Sequence, residues 1–173
     1  MRLSIIATVV LTLLAAGACS PQMNWRQTDI APSTLQALFP CKPERASRTL
    51  DLGGQRVELT MSSCTTAGVT VGIGLAPLPN PSAPGLVLAQ WRLATLATLR
   101  AGEVSQSGFG LEKSLALPDA VRLSARGSGP DGKPLQLQAA WFVRGSDAFV
   151  ALMYGPTLRA EDAEMFFSGL RFR

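Results

Sequence analysis

The stretch around Gly53-Gly54 is the feature that most constrains the fold of this chain. Apolar and polar residues alternate on both sides of the glycine pair, over 45–52 and over 55–64. Such alternation is typical of strands with one buried face, and two glycines between two such strands favour a tight hairpin turn. The turn sets the register, so Leu50 is expected opposite Val57. A long antiparallel hairpin is therefore predicted.

The rest of the chain continues this mixture of strands and helices. Further strands are predicted over 69–75, 120–127, 135–143 and 148–154, and helices over 85–100 and 160–168. The first helix has a predicted apolar stripe of Leu86, Ala89, Leu93, Leu96 and Ala97, widened by Leu88, Trp91 and Leu99, and it is expected to stop near Gly102. The second has a predicted core face of Ala163, Phe166, Phe167 and Leu170. This order predicts an α+β fold, with an antiparallel sheet of about six strands and helices packed on it.

Residues 1–18 have the layout of a secretory signal. Arg2 precedes an apolar run from Leu3 to Ala16, and this run is shorter than the roughly 20 residues that a membrane-spanning helix needs. Small residues and then Cys19 follow directly. Cleavage before Cys19 would leave 19–23 as a tether and 24–173 as a single domain. A general cleavable signal, with Cys19 nearby by chance, is the alternative.

The residues around the cleavage point resemble the lipobox of bacterial lipoproteins. They are Ala16-Gly17-Ala18-Cys19, with Ala16 where that class more often has Leu. The resemblance implies that the Cys19 thiol is diacylated and that the new N-terminus is acylated. Several acyl chains, at about 0.8 kcal/mol per buried methylene, form a stable anchor. Ser20 and Pro21 follow without an acidic residue, and by the rule of the class this favours the periplasmic face of the outer membrane.

The lipid on Cys19 determines what is expected of the other two cysteines. Cys41 and Cys64 would remain in an oxidising compartment, where an even number of cysteines favours a disulfide. The hairpin register makes Cys41 a diagonal neighbour of Cys64, and a small slip near Pro40 and Pro43 would bring the pair within bonding distance. The bond is worth about 3 kcal/mol in the chain-entropy model. Two free buried thiols are the alternative.

The composition excludes several classes of function. The chain contains no histidine, so Ser-His-Asp and Cys-His catalysis is impossible. Without histidine, and with the cysteines assigned, we predict no metal site. The net charge of +4 comes from singly placed basic residues without a basic run, which argues against nucleic-acid binding. We predict a non-catalytic protein with no catalytic residues and no cofactor.

Three patterns that resemble functional sites have simpler explanations. The glycines from Gly68 to Gly74 lack the spacing of phosphate-binding loops. Glu161, Asp162 and Glu164 are the favourable acidic start of a helix. Lys113-Ser114 has the residue types of a Ser-Lys dyad, but no other feature of the sequence supports that chemistry.

Several short motifs together resemble a known fold family. They are Phe39-Pro40-Cys41-Lys42-Pro43, the turn over 127–132, the turn over 142–145 and the closing segment over 163–170. These motifs are similar to the Mog1/PsbP-like fold, which recurs in small bacterial envelope lipoproteins. The resemblance covers 24–173 and implies an αβα sandwich around an antiparallel sheet. Known members mostly bind or assemble other proteins, and no catalytic residue is carried over.

Two hypotheses of function follow. The first is a lipid-anchored envelope protein that contacts the membrane through its lipid and docks or assembles another envelope protein. Its candidate surface is the proline-rich stretch Pro77–Pro84, for which a plain linker is the alternative. The second is a periplasmic carrier or sensor of an apolar small molecule. It rests on 69–75, where glycines leave one strand face bare beneath the leucine-rich helix.

Overall fold

The computed structural model describes residues 23–173. Within this range the chain forms ten strands and two helices. The strands are β1 (Arg26–Asp29), β2 (Leu35–Phe39), β3 (Glu44–Leu52), β4 (Gln55–Thr66), β5 (Val69–Pro77), β6 (Glu103–Gly108), β7 (Val121–Ser128), β8 (Pro134–Arg144), β9 (Asp147–Gly155) and β10 (Arg171–Phe172). The helices are α1 (Pro84–Leu99) and α2 (Ala160–Ser168). The predicted signal 1–18 and Cys19 lie outside the described residues.

Two antiparallel sheets organise these elements. The larger has seven strands in the order β3-β4-β5-β9-β8-β7-β6, and the smaller has the order β1-β2-β10. The predicted α+β class is confirmed, but the sheet has more strands than the predicted six. The additional strand is β6, whose six residues are all exposed. An edge strand without a buried face shows no alternation, so its sequence gave only a weak signal.

The hairpin of β3 and β4 has the predicted register. Leu50 pairs with Val57, and the glycine pair forms the turn. Gly53 has φ of 61° and Gly54 has φ of 73°, a left-handed conformation at both turn positions that glycine adopts without steric cost. The local sequence therefore explains the local structure.

Helix α1 packs on one face of the large sheet, but not with the predicted stripe. Its buried residues are Val87, Leu88, Trp91 and Leu99. Leu86 and Leu93 are instead 53% and 63% exposed. The predicted stripe and the buried residues lie on opposite sides of the helix. Burying the side that carries the Trp91 indole removes more apolar surface from water. The helix ends at Leu99. Its C-cap is Arg100, which has a left-handed φ of 50° and lies two residues before the predicted stop at Gly102.

The opposite face of the sheet packs against α2 and the small sheet. The rings of Phe142 and Phe149 are stacked with centroids 5.2 Å apart. Phe172 of β10 meets both rings edge-on, at 6.0 and 5.5 Å. Phe39 of β2 meets Phe166 of α2 edge-on at 6.5 Å. The predicted core face of α2 is confirmed, since Ala163, Phe166, Phe167 and Leu170 are all buried.

Candidate functional site

The structure brings Cys41 and Cys64 together, as the hairpin register predicted. Their Sγ atoms lie 2.19 Å apart, with 5.9 Å between the Cα atoms. Cys41 follows β2 of the small sheet, and Cys64 belongs to β4 of the large sheet. The bond therefore joins the two sheets covalently, in the core that α2 also covers. Cys19 is not among the described residues, so its lipidation stays a prediction.

The outer side of α1 is an exposed apolar surface. Leu86 and Leu93 lie on it, with more than half of each side chain in contact with solvent. Arg92 is the one charged residue in this helix, and it lies 3.9 Å from Asp119 in an ion pair. A helix face exposed to water normally carries several charges. A face without them resembles the centre of a protein–protein interface, where charged residues are depleted.

The proline-rich stretch that precedes α1 is an ordered loop. Its prolines Pro77, Pro79 and Pro81 are exposed, whereas Leu78 is buried. The Leu78 amide donates to the carbonyl of Ser146, and the Asn80 amide donates to Gln55 Oε1. The loop is thus fixed to the start of β4 and to the turn between β8 and β9, and it continues directly into the exposed start of α1.

The glycine face of β5 is not bare. A Cβ on Gly74 would lie 2.8 Å from both Met61 Sδ and Val150 Cγ1. A Cβ on Gly72 would lie 3.3 to 3.4 Å from Ser63, Leu152 and Met61. Side chains of β4 and β9 therefore fill the space that the glycines leave. This filling rules out a ligand lying directly on the β5 backbone, the arrangement on which the carrier hypothesis rests.

An apolar groove lies beside this filled patch, between α1 and the sheet. Its volume is about 400 Å³. The groove is lined by apolar side chains of α1 and of strands β4, β8 and β9, namely Trp91, Leu99, Leu59, Met61, Leu135, Leu137, Val150 and Leu152. Gly129 and Pro130 of the turn between β7 and β8 also line it. The same side chains that cover the glycines thus contribute to the surface of the groove.

The polar groups of this groove are few. They belong to Arg48, Thr95, Thr98 and Tyr154. The two threonine hydroxyls donate to the carbonyls of the preceding helical turn, at 2.9 Å each. Arg48 and the Tyr154 hydroxyl have no hydrogen-bond or ion-pair partner among the residues that the structure describes. The groove therefore combines an apolar surface with one cation, Arg48, which is exposed to solvent at its edge.

Sequence reasoning did not identify Arg48 as a candidate. The signal for it is present in the alternation of β3, because Arg48 is two residues before Leu50 and pairs with the buried Leu59. Directly paired residues of an antiparallel ladder point to the same face. A charged residue at an apolar position of a strand is the pattern that would have indicated it.

A second groove, of about 550 Å³, lies along β6, β7 and β8. Its polar lining includes Ser105, Ser124 and Gln138. Its charged groups Arg126 and Glu103 form an ion pair at 3.4 Å. Because these two charges are already paired and both are well exposed, the groove has no strong preference for a charged ligand.

The acidic residues of α2 are engaged in ion pairs. Glu161 and Asp162 both pair with Arg159. Glu164 accepts a hydrogen bond of 2.6 Å from Arg122, and this bond and the positive charge lower the pKa of Glu164. Arg122 also lies over the Phe167 ring, 4.2 Å from its centroid. All three carboxylates thus take part in ion pairs at the start of α2 or between α2 and β7.

The other chemical possibilities have ordinary structural explanations. Ser114 Oγ donates to the Leu111 carbonyl and accepts from the Leu111 amide, so it closes a turn. Over residues 23–173, no three His, Cys, Asp or Glu side chains are grouped to hold a metal ion. Within the same range, neither helix has the length and apolar character to cross a membrane.

Comparison with known proteins adds little to this description. No family model matches the chain, and no curated protein matches it. Among solved structures it is similar to the protein of unknown function PA94 from Pseudomonas aeruginosa, with a TM-score of 0.33 and 10% identity, over 76% of this chain and 82% of that chain. A similarity at this level supports no conclusion about fold family or function.

Proposed function

We propose that this chain is a non-catalytic, lipid-anchored protein of the bacterial cell envelope that docks another envelope protein through the outer side of α1. The proposal rests on the exposure of Leu86 and Leu93. These residues lie on a helix whose single charged residue, Arg92, forms an ion pair with Asp119. Exposed apolar patches of this kind mark interaction sites. The complementary partner would present an apolar segment, and the exposed prolines before α1 would extend the contact.

The proposed location rests on the N-terminal sequence and on the cysteine pair. The lipobox-like residues 16–19 supply an anchor on Cys19, and the absence of an acidic residue after it favours the periplasmic face of the outer membrane. A bond between Cys41 and Cys64 is in keeping with an oxidising compartment. We also propose membership of the Mog1/PsbP-like family, because a helix lies on each face of the large antiparallel sheet.

The docking proposal is tested by capture of partners from detergent-solubilised envelopes. The full chain, carrying an affinity tag at its C-terminus, is compared with Leu86→Glu and Leu93→Glu. A charged carboxylate at the centre of an apolar interface is strongly unfavourable. We therefore expect a stoichiometric partner with the unmodified chain and its loss with either variant.

Met165→Glu is the matched control for this experiment. Met165 is 47% exposed and lies on α2, on the opposite face of the large sheet. The Met165→Glu variant introduces the same charge at another exposed apolar site, so it should still capture the partner. Absence of any stoichiometric partner, or equal loss with all three variants, would contradict docking through α1.

A further inference from the structure

The groove under α1 extends across the sheet rather than forming a round pocket. Its lining begins with Arg48 on the edge strand β3 and ends with Leu135 on β8 and the turn at Pro130. Strands β4, β5 and β9 lie between these two strands in the sheet. Four inter-strand spacings of about 4.8 Å give a span of roughly 19 Å. An elongated ligand therefore fits the groove better than a compact one.

We propose that this groove binds a fatty acid, with the acyl chain along the groove and the carboxylate on Arg48. The volume of about 400 Å³ lies within the range of small-molecule sites, which are mostly apolar with a few placed polar groups. Met61, Leu152 and Tyr154 are partly exposed along the groove. Their burial by an acyl chain would remove apolar surface from water.

Charge complementarity selects an anionic head group. Arg48 is the single charged residue that lines the groove, and no acidic side chain lines it. Its guanidinium has no ion-pair partner among the described residues. A guanidinium presents a planar set of donors that matches a carboxylate in a bidentate geometry. Arg48 is exposed to solvent, so its guanidinium is accessible to an anionic head group at the β3 end of the groove.

This site goes beyond the proposed docking function and does not depend on it. The docking surface uses Leu86 and Leu93 on the outer side of α1, whereas the groove is lined by Trp91 and Leu99 on its buried side. Changes at one side leave the other side chains in place. The two proposals can therefore fail separately.

The experiment is photo-crosslinking of the purified full chain with two probes of equal chain length. The first is a diazirine-bearing dodecanoate, and the second is the corresponding dodecanol. We expect saturable labelling by the dodecanoate, mapped to peptides of β4, β9 and α1 and competed by unlabelled dodecanoate. Arg48→Gln should weaken dodecanoate labelling about two- to fivefold, the effect of losing one solvent-exposed ion pair, and leave dodecanol labelling unchanged.

Two further variants make the result decisive. Arg56→Gln removes the same charge from the adjacent strand, on the face away from α1, and should leave both probes unaffected. Thr98→Trp places a large ring at an exposed residue that lines the groove, so it should abolish labelling by both probes. A thermal unfolding curve for each variant checks that the fold is intact. Labelling outside the groove, labelling without competition, or equal effects of Arg48→Gln on both probes would overturn the proposal.

Discussion

The Cγ1 atom of Val150 lies 2.8 Å from the position that a Cβ on Gly74 would take. Met61 Sδ lies at the same distance on the side of β4. Val150 is buried in the packed strand β9, so its side chain has little room to move. We predict that Gly74→Ala lowers the free energy of unfolding by about 1–3 kcal/mol through overpacking. Equilibrium unfolding in urea measures this change.

Gly72→Ala on the same strand is the matched control. The nearest atom to its added Cβ is 3.3 Å away, which needs only a small adjustment. Replacing a glycine in a strand interior by alanine also stabilises the folded protein by roughly 0.5–1 kcal/mol. The two effects oppose each other, so Gly72→Ala should be close to neutral. An equally large loss for both variants would show that packing against Val150 and Met61 is not the cause.

The second prediction concerns the bond between Cys41 and Cys64. The double variant Cys41→Ala and Cys64→Ala should lower the free energy of unfolding by about 3 kcal/mol, because the unfolded chain regains the entropy of an open loop. Cys19→Ser should leave this free energy unchanged, since it does not take part in the bond. If reducing agent leaves the unfolding midpoint of the unmodified chain unchanged, the bond does not form in solution.

The third prediction tests the lipid anchor. Cys19→Ser should prevent acylation, because the thiol is the site of diacylation in the proposed class. Mass spectrometry of the intact chain should then lack the acyl masses that the unmodified chain carries, and membrane fractionation should show loss of the anchored form. Ser20→Ala changes the neighbouring residue and should keep both properties. An unmodified thiol at Cys19 in the native protein would contradict the assignment.

The fourth prediction follows from the contact of Glu164 with Arg122. Because the folded protein lowers the pKa of Glu164 below its ordinary value of 4.5, the pair stabilises the fold above that value. The contribution is lost as the pH falls through the lowered pKa. The Glu164 side chain is 68% exposed, so Glu164→Gln should cost no more than about 1 kcal/mol at neutral pH and less in high salt.

The control for this measurement is Glu112→Gln. Glu112 is exposed and has no ion pair among the described residues, so its replacement should leave stability unchanged at neutral pH. Thermal unfolding at several pH values separates the two variants. A Glu164→Gln effect that persists at a pH well below the lowered pKa would have another origin than the ion pair.

Much of the fold could be predicted from local patterns. The hairpin register around Gly53-Gly54 and the core face of α2 depend on sequence-local alternation and helical spacing, and both are confirmed. The predicted orientation of α1 was wrong, because apolar residues lie on most sides of this helix. Only the sheet beneath it decides that Trp91, and not Leu93, is buried.

The groove could not be predicted, because it is built from strands distant in the sequence. Leu59, Val150 and Leu137 become neighbours only through the strand order β4-β5-β9-β8. The prediction of a bare glycine face on β5 was also wrong. Whether this space is filled depends on the length of the Met61 side chain and on its position opposite Gly74.

The link between the two sheets has a mechanical consequence. Tension applied at the N-terminus passes through β1 and β2 and reaches Cys41, which is bonded to Cys64 in β4. From there the load enters the interior of the large sheet. The segment 42–63, which contains β3 and its turn, lies within the covalent loop and is shielded from the pull. A chain held to a membrane by its first residues would thus transmit force to its seven-stranded sheet without unzipping the hairpin.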